Sequence, residues 1–174
     1  MDADFFSRLE TQATAIQERD PQVMTEIIAR CCELKAEIVI EDELETSGRR
    51  AILNYGHTFG HAIENVFGYG EYLHGEAVAI GMHCAARLAA SLDMVNQEFV
   101  ARQQKCLREF NLPTTIPSGH QAELLAAMYR DKKVSQGTLK VILPTRIGHV
   151  ELIDAPGEEL LAASWAIDSA DNDS

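Results

Sequence analysis

"RRAILNYGHTFGHAIENVFGYGEYLHGE", residues 49–76, carries an arginine pair, an asparagine and three histidines through a stretch with the apolar spacing of an amphipathic helix. At about 100° per residue, Ile52, Tyr55, Phe59, Ile63 and Val66 fall in one sector, which predicts a buried stripe on a helix over 50–67. Arg50, Asn54, His57 and His61 fall on the opposite side, with Glu64 beside them. Asn and His are mediocre helix formers, and a face that only meets water is more easily built from Glu, Lys and Gln. The makeup of this face therefore points to ligand chemistry rather than to helix formation.

His57 and His61 stand at i, i+4, a spacing that can bring two imidazoles to one metal ion. Thr58 occupies the position where HExxH hydrolases carry the Glu that serves as general base, which disfavours a metalloprotease. His74 closes a Gly-flanked loop just before the next helix, and such a loop can return it to the His57 face as a further candidate ligand. His83 and His149 read as packing or surface residues, and His120 as a loop residue.

Outward from this stretch the chain reads as mainly α. An early helix is expected over 4–17, and Asp20 followed by Pro21 gives an N-cap and first position for a helix through "QVMTEIIARCCELKAEIVIEDE". "SGRR" is a break, and "GYGEYLHG" leads into "EAVAIGMHCAARLAASLDM", whose small residues permit close helix approach at the centre of the core. Further helices are expected over 96–110, from a Ser118 cap through "AELLAAMYRDKK", and over 157–166. The β-branched runs around "PTRIG" predict a two-stranded ribbon within 138–153, and "DSADNDS", 168–174, reads as a polar, frayed tail. There is no repeat and no GxGxxG between a strand and a helix, so a dinucleotide fingerprint is absent.

The 174 residues, 46% hydrophobic and 24% charged, are enough for one domain with a core, here 1–167. A formal charge of −12 argues against nucleic acid or an anionic membrane as partner, since both need clustered cations. A small anion needs only a local group, and Lys35, Arg49, Arg50, Arg130, Lys132 and Lys133 are available near motif-like segments. The opening residues have neither the basic nor the apolar region of a signal peptide, and no run is long and apolar enough to span a bilayer. Cys31, Cys32, Cys84 and Cys106 form no CxxC pair and read as buried free thiols of a reducing compartment, which favours a cytoplasmic location.

Taken together, "ELKAEIV", "DELETSGRRAILNYGHTFGHAIE", "YLHGEAVAIGM" and "RDKK" resemble the C-terminal half of the 3-dehydroquinate synthase family, and the likeness covers essentially the whole chain. The resemblance implies the multi-helix C-terminal domain of the dehydroquinate synthase-like fold, which binds metal and substrate and closes a cleft against an NAD-binding N-terminal half. It implies conversion of 3-deoxy-D-arabino-heptulosonate 7-phosphate to 3-dehydroquinate and phosphate in the shikimate route, with NAD and zinc, or another divalent metal such as cobalt. By motif, His57 and His74 correspond to metal ligands. His61 corresponds to a substrate-side residue that can relay a proton, which overrides the simple i, i+4 pairing. Arg50 and Asn54 join it as catalytic positions. Lys35 and one of Lys132 and Lys133 complete the substrate contacts. A ligand bearing carboxylate and phosphate needs such fixed cations.

The family's third metal ligand is a glutamate in a segment like "AEVIKYG", which precedes the part matched here, and "DELETSGRR" has one residue more than the family's pattern before Arg50. The expected partners are a small anionic sugar phosphate and the NAD-binding half, with a homodimer left open. Two other functions suit the same residues: a related sugar-phosphate cyclase, and a helical interaction module without catalysis.

Overall fold

The computed structural model describes residues 2–44, 46–68, 70–133 and 138–167, with the side chains of 131–133 outside the description. The expected tail, 168–174, lies outside the described residues. Helices α1 (Ala3–Thr11) and α2 (Ala13–Gln17) replace the single early helix, with Gln12 between them. Helix α3 (Pro21–Glu41) starts where the sequence places it. Asp20 accepts from the backbone N–H groups of Gln22 and Val23 at 3.0 and 2.9 Å, and Pro21 takes the first position, where its missing N–H costs nothing.

The helix expected over 50–67 is two pieces. Arg49–Asn54 is a 3-10 segment, Tyr55 and Gly56 leave helical geometry, and α4 runs over His57–Phe67. The break has a packing cause. Gly56 has φ +84°, and a Cβ there would lie 2.7 Å from Met82 Cγ and 2.8 Å from the Val78 carbonyl oxygen. Both neighbours belong to α5 (His74–Ser91), which crosses α4 at close range. The same crossing explains Gly81 in the middle of α5, since a Cβ on it would sit 2.1 Å from the Gly56 carbonyl oxygen and 2.9 Å from the Gly60 nitrogen. Tyr55 locks the junction: its hydroxyl donates to the Met82 carbonyl at 3.1 Å and accepts from Gln103 Nε2 at 2.7 Å, and burial pushes its pKa up.

As the sequence predicts, α5 is the central helix, and it packs on α4, α6 (Gln97–Glu109), the ribbon and α8 (Glu158–Ser164). Helix α7 (Gln121–Lys133) packs on the other side of α4. It begins three residues after Ser118, with His120 between and its ring centroid 4.8 Å from that of Phe67, so Ser118 is not its first flanking residue. Strands β1 (Lys140–Arg146) and β2 (His149–Asp154) form the expected antiparallel ribbon, with β1 running through Pro144 to Arg146 and Gly148 in the turn. Val141 to Leu143 are buried against the core.

The stripe read from the sequence survives the helix break. Phe59 and Ile63 are buried, and Tyr55 and Val66 pack against the same cluster. Trp165 caps that cluster, edge-on to Phe59 at 5.0 Å, and Ile116 donates to the Ala166 carbonyl at 2.9 Å, which ties the segment after α8 to the core. His83, read as a packing or surface residue, is buried inside α5. The thiols divide: Cys84 and Cys106 are buried, whereas Cys31 and Cys32 are exposed, because α3 turns only Ile27, Leu34 and Ile38 fully inward. No helix among the described residues is long and apolar enough to cross a membrane.

Replacing Gly81 with Ala should lower unfolding stability by about 2 kcal/mol or more, because the added methyl meets backbone rather than a flexible side chain. Gly75→Ala, at an exposed position on α5 with nothing within 4 Å, should leave stability unchanged or raise it by up to about 1 kcal/mol. Denaturant titration of the two variants checks the contrast, and equal stability would show that the crossing is not tight.

Candidate active-site cleft

Two cavities meet along the start of α4. The first, about 640 Å³, is lined by Cys31 and Lys35 of α3, by Asp42, and by Arg50, Asn54 and His57. The second, about 620 Å³, is lined by Asn54, His57, His61, Glu64 and His74, with Met128 of α7 and Leu139 behind. Asn54 and His57 line both, so the described candidate residues share one continuous groove.

Its walls come from three devices. Close passage of α5 past α4 brings His74, the first residue of α5, back beside His57 and His61. The ring centroids stand 5.3 Å apart for His57 and His74, 5.6 Å for His57 and His61, and 6.1 Å for His61 and His74. The start of α5 is fixed by Glu76, whose carboxylate accepts from the Leu73 N–H at 2.8 Å. The second device is the 3-10 segment. Because it is not continuous with α4, Arg50 and Asn54 are placed by the loop before them rather than by stacking on one helical face. The third is α3, which contributes Lys35, exposed at the rim.

Asp42 was not singled out by sequence reasoning, yet it organises this loop. Its side chain is buried and accepts from the backbone N–H groups of Thr46, Ser47 and Arg50 at 2.9, 3.0 and 3.1 Å. The Ser47 and Arg50 N–H groups hold its carboxyl below the usual carboxylate range. The available signal was an Asp at a helix end four residues before "TSG", a pattern in which Asp folds following amides onto itself. Arg49, read as another candidate cation, instead pairs with Glu41 at 2.9 Å. Lys132 and Lys133 fall on the backbone of α7, and their side chains lie outside the described residues.

The donor chemistry suits a borderline metal ion in part. Burial, aided by His61 and His74, pushes the His57 pKa down and favours the neutral imidazole that binds zinc or cobalt, while its Nδ1 lies 3.4 Å from the Tyr55 carbonyl oxygen. The His74 Nδ1 lies 3.0 Å from Glu64 Oε1. Among the described residues, no group of three or more His, Cys, Asp or Glu side chains is set to hold a metal ion. Two imidazoles fit part of a catalytic site that ordinarily takes three protein ligands.

Comparisons with known proteins give the chain's relatives. The sequence profile of the family described as 3-dehydroquinate synthase C-terminal matches residues 1–134. The chain is 48% identical over 166 residues to the 3-dehydroquinate synthase of Rhodopirellula baltica, covering 95% of this chain and 44% of that protein. It is 45% identical over 161 residues to that of Shewanella loihica, covering 92% and 45%. A solved 2-epi-5-epi-valiolone synthase from Streptomyces hygroscopicus, with NAD+ and Zn2+ bound, superposes with a TM-score of 0.83 at 25% identity, over 94% of this chain and 45% of that one. A 2-deoxy-scyllo-inosose synthase complexed with carbaglucose-6-phosphate, NAD+ and Co2+ gives 0.70 at 26% identity, over 83% and 40%. The chain spans less than half the length of the curated relatives it matches. Its fold is that of these neighbours, and the chain belongs to the 3-dehydroquinate synthase C-terminal domain family.

Proposed function

We propose that this chain is the metal- and substrate-binding half of a 3-dehydroquinate synthase, a lyase that turns 3-deoxy-D-arabino-heptulosonate 7-phosphate into 3-dehydroquinate and phosphate. The observation that carries the assignment is the groove in which three imidazoles, 5.3 to 6.1 Å apart, adjoin a cavity lined by Lys35, Arg50 and Asn54. Similarity of 45–48% to two 3-dehydroquinate synthases supports this substrate over others.

Each residue has a task that its chemistry suits. Arg50 supplies a planar two-donor fork for the phosphate or carboxylate of the substrate, and Lys35 a point charge at the rim; together they favour an anion within an otherwise acidic chain. Lys132 or Lys133 adds a further cation. Asn54, which lines both cavities, orients a substrate hydroxyl with its amide. His61, exposed within the groove, takes or returns a proton as the phosphate leaves. His57 and His74 would hold a zinc or cobalt ion. When bound, the ion supplies Lewis-acid polarisation of a hydroxyl, and NAD, held mainly by the N-terminal half, supplies reversible hydride transfer.

A second substrate is favoured by one finding, the likeness to 2-deoxy-scyllo-inosose synthase solved with carbaglucose-6-phosphate. Assay of the reconstituted enzyme with the heptulosonate phosphate and with glucose 6-phosphate separates the two, and turnover of the hexose phosphate alone would reassign the chain to the related cyclases.

His57→Ala and His74→Ala should each abolish metal-dependent turnover in the reconstituted enzyme while leaving helical circular dichroism intact; full activity in both would refute the ligand assignment. Arg50→Lys should lower kcat/KM roughly 10–100-fold, since an ammonium cannot reproduce a bidentate contact. An unchanged value would remove Arg50 from the site. The chain assayed alone, with NAD and zinc supplied, should give no detectable product, because lost positioning of the cofactor is worth roughly 7–11 kcal/mol of barrier. Turnover in a coupled assay without the N-terminal half would overturn that expectation.

A further inference from the structure

Glu64 has no part in the assignments above, yet its carboxylate lies within hydrogen-bond distance of the His74 ring. It stands seven residues after His57 and three after His61, so the turns of α4 carry it on the same face as both rings, opposite the start of α5. Its side chain is only 15% exposed while that of His74 is 57% exposed, so the carboxylate is the fixed member of the pair and the imidazole the member that needs fixing.

We propose that Glu64 is the positioning residue for the metal pair, fixing the ring of His74 by accepting its Nδ1 proton at 3.0 Å. A carboxylate oxygen accepts hydrogen bonds, so the ring proton belongs on Nδ1 and the lone pair of the neutral ring on Nε2. His74 therefore offers one nitrogen to a cation, in one orientation, before any cation arrives. His57 has the corresponding arrangement in weaker form, with its Nδ1 3.4 Å from the Tyr55 carbonyl oxygen. The two differ in kind. The His57 contact is local to its own helix start, whereas Glu64 reaches from α4 to α5 and couples the position of His74 to the helix crossing. Glu64 is thus assigned as a positioning residue rather than a substitute third ligand, in keeping with the lack of any three-residue metal group among the described residues.

This assignment rests on His74 being a metal ligand, and two measurements keep the two ideas separable. Nitrogen-15 NMR of the metal-free 174-residue chain reads the tautomer directly. His74 should be the Nδ1–H form in the unaltered chain and should lose that preference in Glu64→Ala. An Nε2–H form in the unaltered chain would overturn the proposal, whatever the metal does. Zinc affinity, measured by competition with a chromophoric chelator on the chain combined with its N-terminal half, should fall about 10–100-fold in Glu64→Gln and Glu64→Ala. It should fall further in His74→Ala. Loss in His74→Ala with full affinity in both Glu64 variants would sink the positioning role and leave the ligand assignment standing. Full affinity in His74→Ala would instead remove the ligand assignment and with it this role for Glu64.

Discussion

The contact between the backbones of α4 and α5 at Gly56, Gly60 and Gly81 is the constraint on which the site depends. A Cβ on Gly81 would stand 2.1 Å from the Gly56 carbonyl oxygen, and one on Gly60 would stand 3.2 Å from Val78 Cα, so the two helices meet with no side chain between them. Helices with ordinary side chains at a crossing lie about 8–10 Å apart, and small residues bring them closer. At this separation the first residue of α5 reaches the polar face of α4. A wider crossing would carry His74 away from His57 while leaving both helices intact.

The same contact explains why the polar face is interrupted. Gly56 takes a left-handed conformation where α5 passes, so the chain leaves its 3-10 turn there and restarts as α4. What a continuous helix would have stacked in one column is instead split into two cavities that share Asn54 and His57. The split has chemical value for a ligand with several charged and neutral groups. Cations from α3 and the 3-10 segment line one part, and imidazoles the other. Asp42 sets the backbone of the first part by gathering three amides, including that of Arg50. An acidic chain of formal charge −12 can in this way present a local surface suited to an anion.

The core behind the groove is tied together across several elements. Trp165 and Phe59 meet edge-on beneath α4, the Tyr55 hydroxyl joins the loop to α5 and α6, and the segment after α8 is bonded to Ile116. Side chains on a rigid helix crossing hold their geometry better than side chains on loops, which suits a site where small displacements cost rate.

Much of this was determined by the sequence alone: the mainly α fold, the Asp20–Pro21 helix start, the central place of the small-residue helix, the two-stranded ribbon, and the buried stripe through Phe59 and Ile63. These follow from local periodicity, capping and turn chemistry, which act over a few residues and so can be read along the chain. The family resemblance was legible for a different reason, because "LNYGHTFGHAIE" followed by "LHGE" is a specific string. Tertiary structure alone decided that the helix breaks at Gly56, that α7 starts at Gln121 rather than next to Ser118, that Cys31 and Cys32 are exposed, and that Glu64 meets His74. Each of these turns on what lies opposite a residue in space. A neighbouring helix leaves no room for a Cβ at Gly56, and a hydrogen bond between residues ten apart exists only because two helices cross there, and neither neighbour is visible in the spacing of one helix.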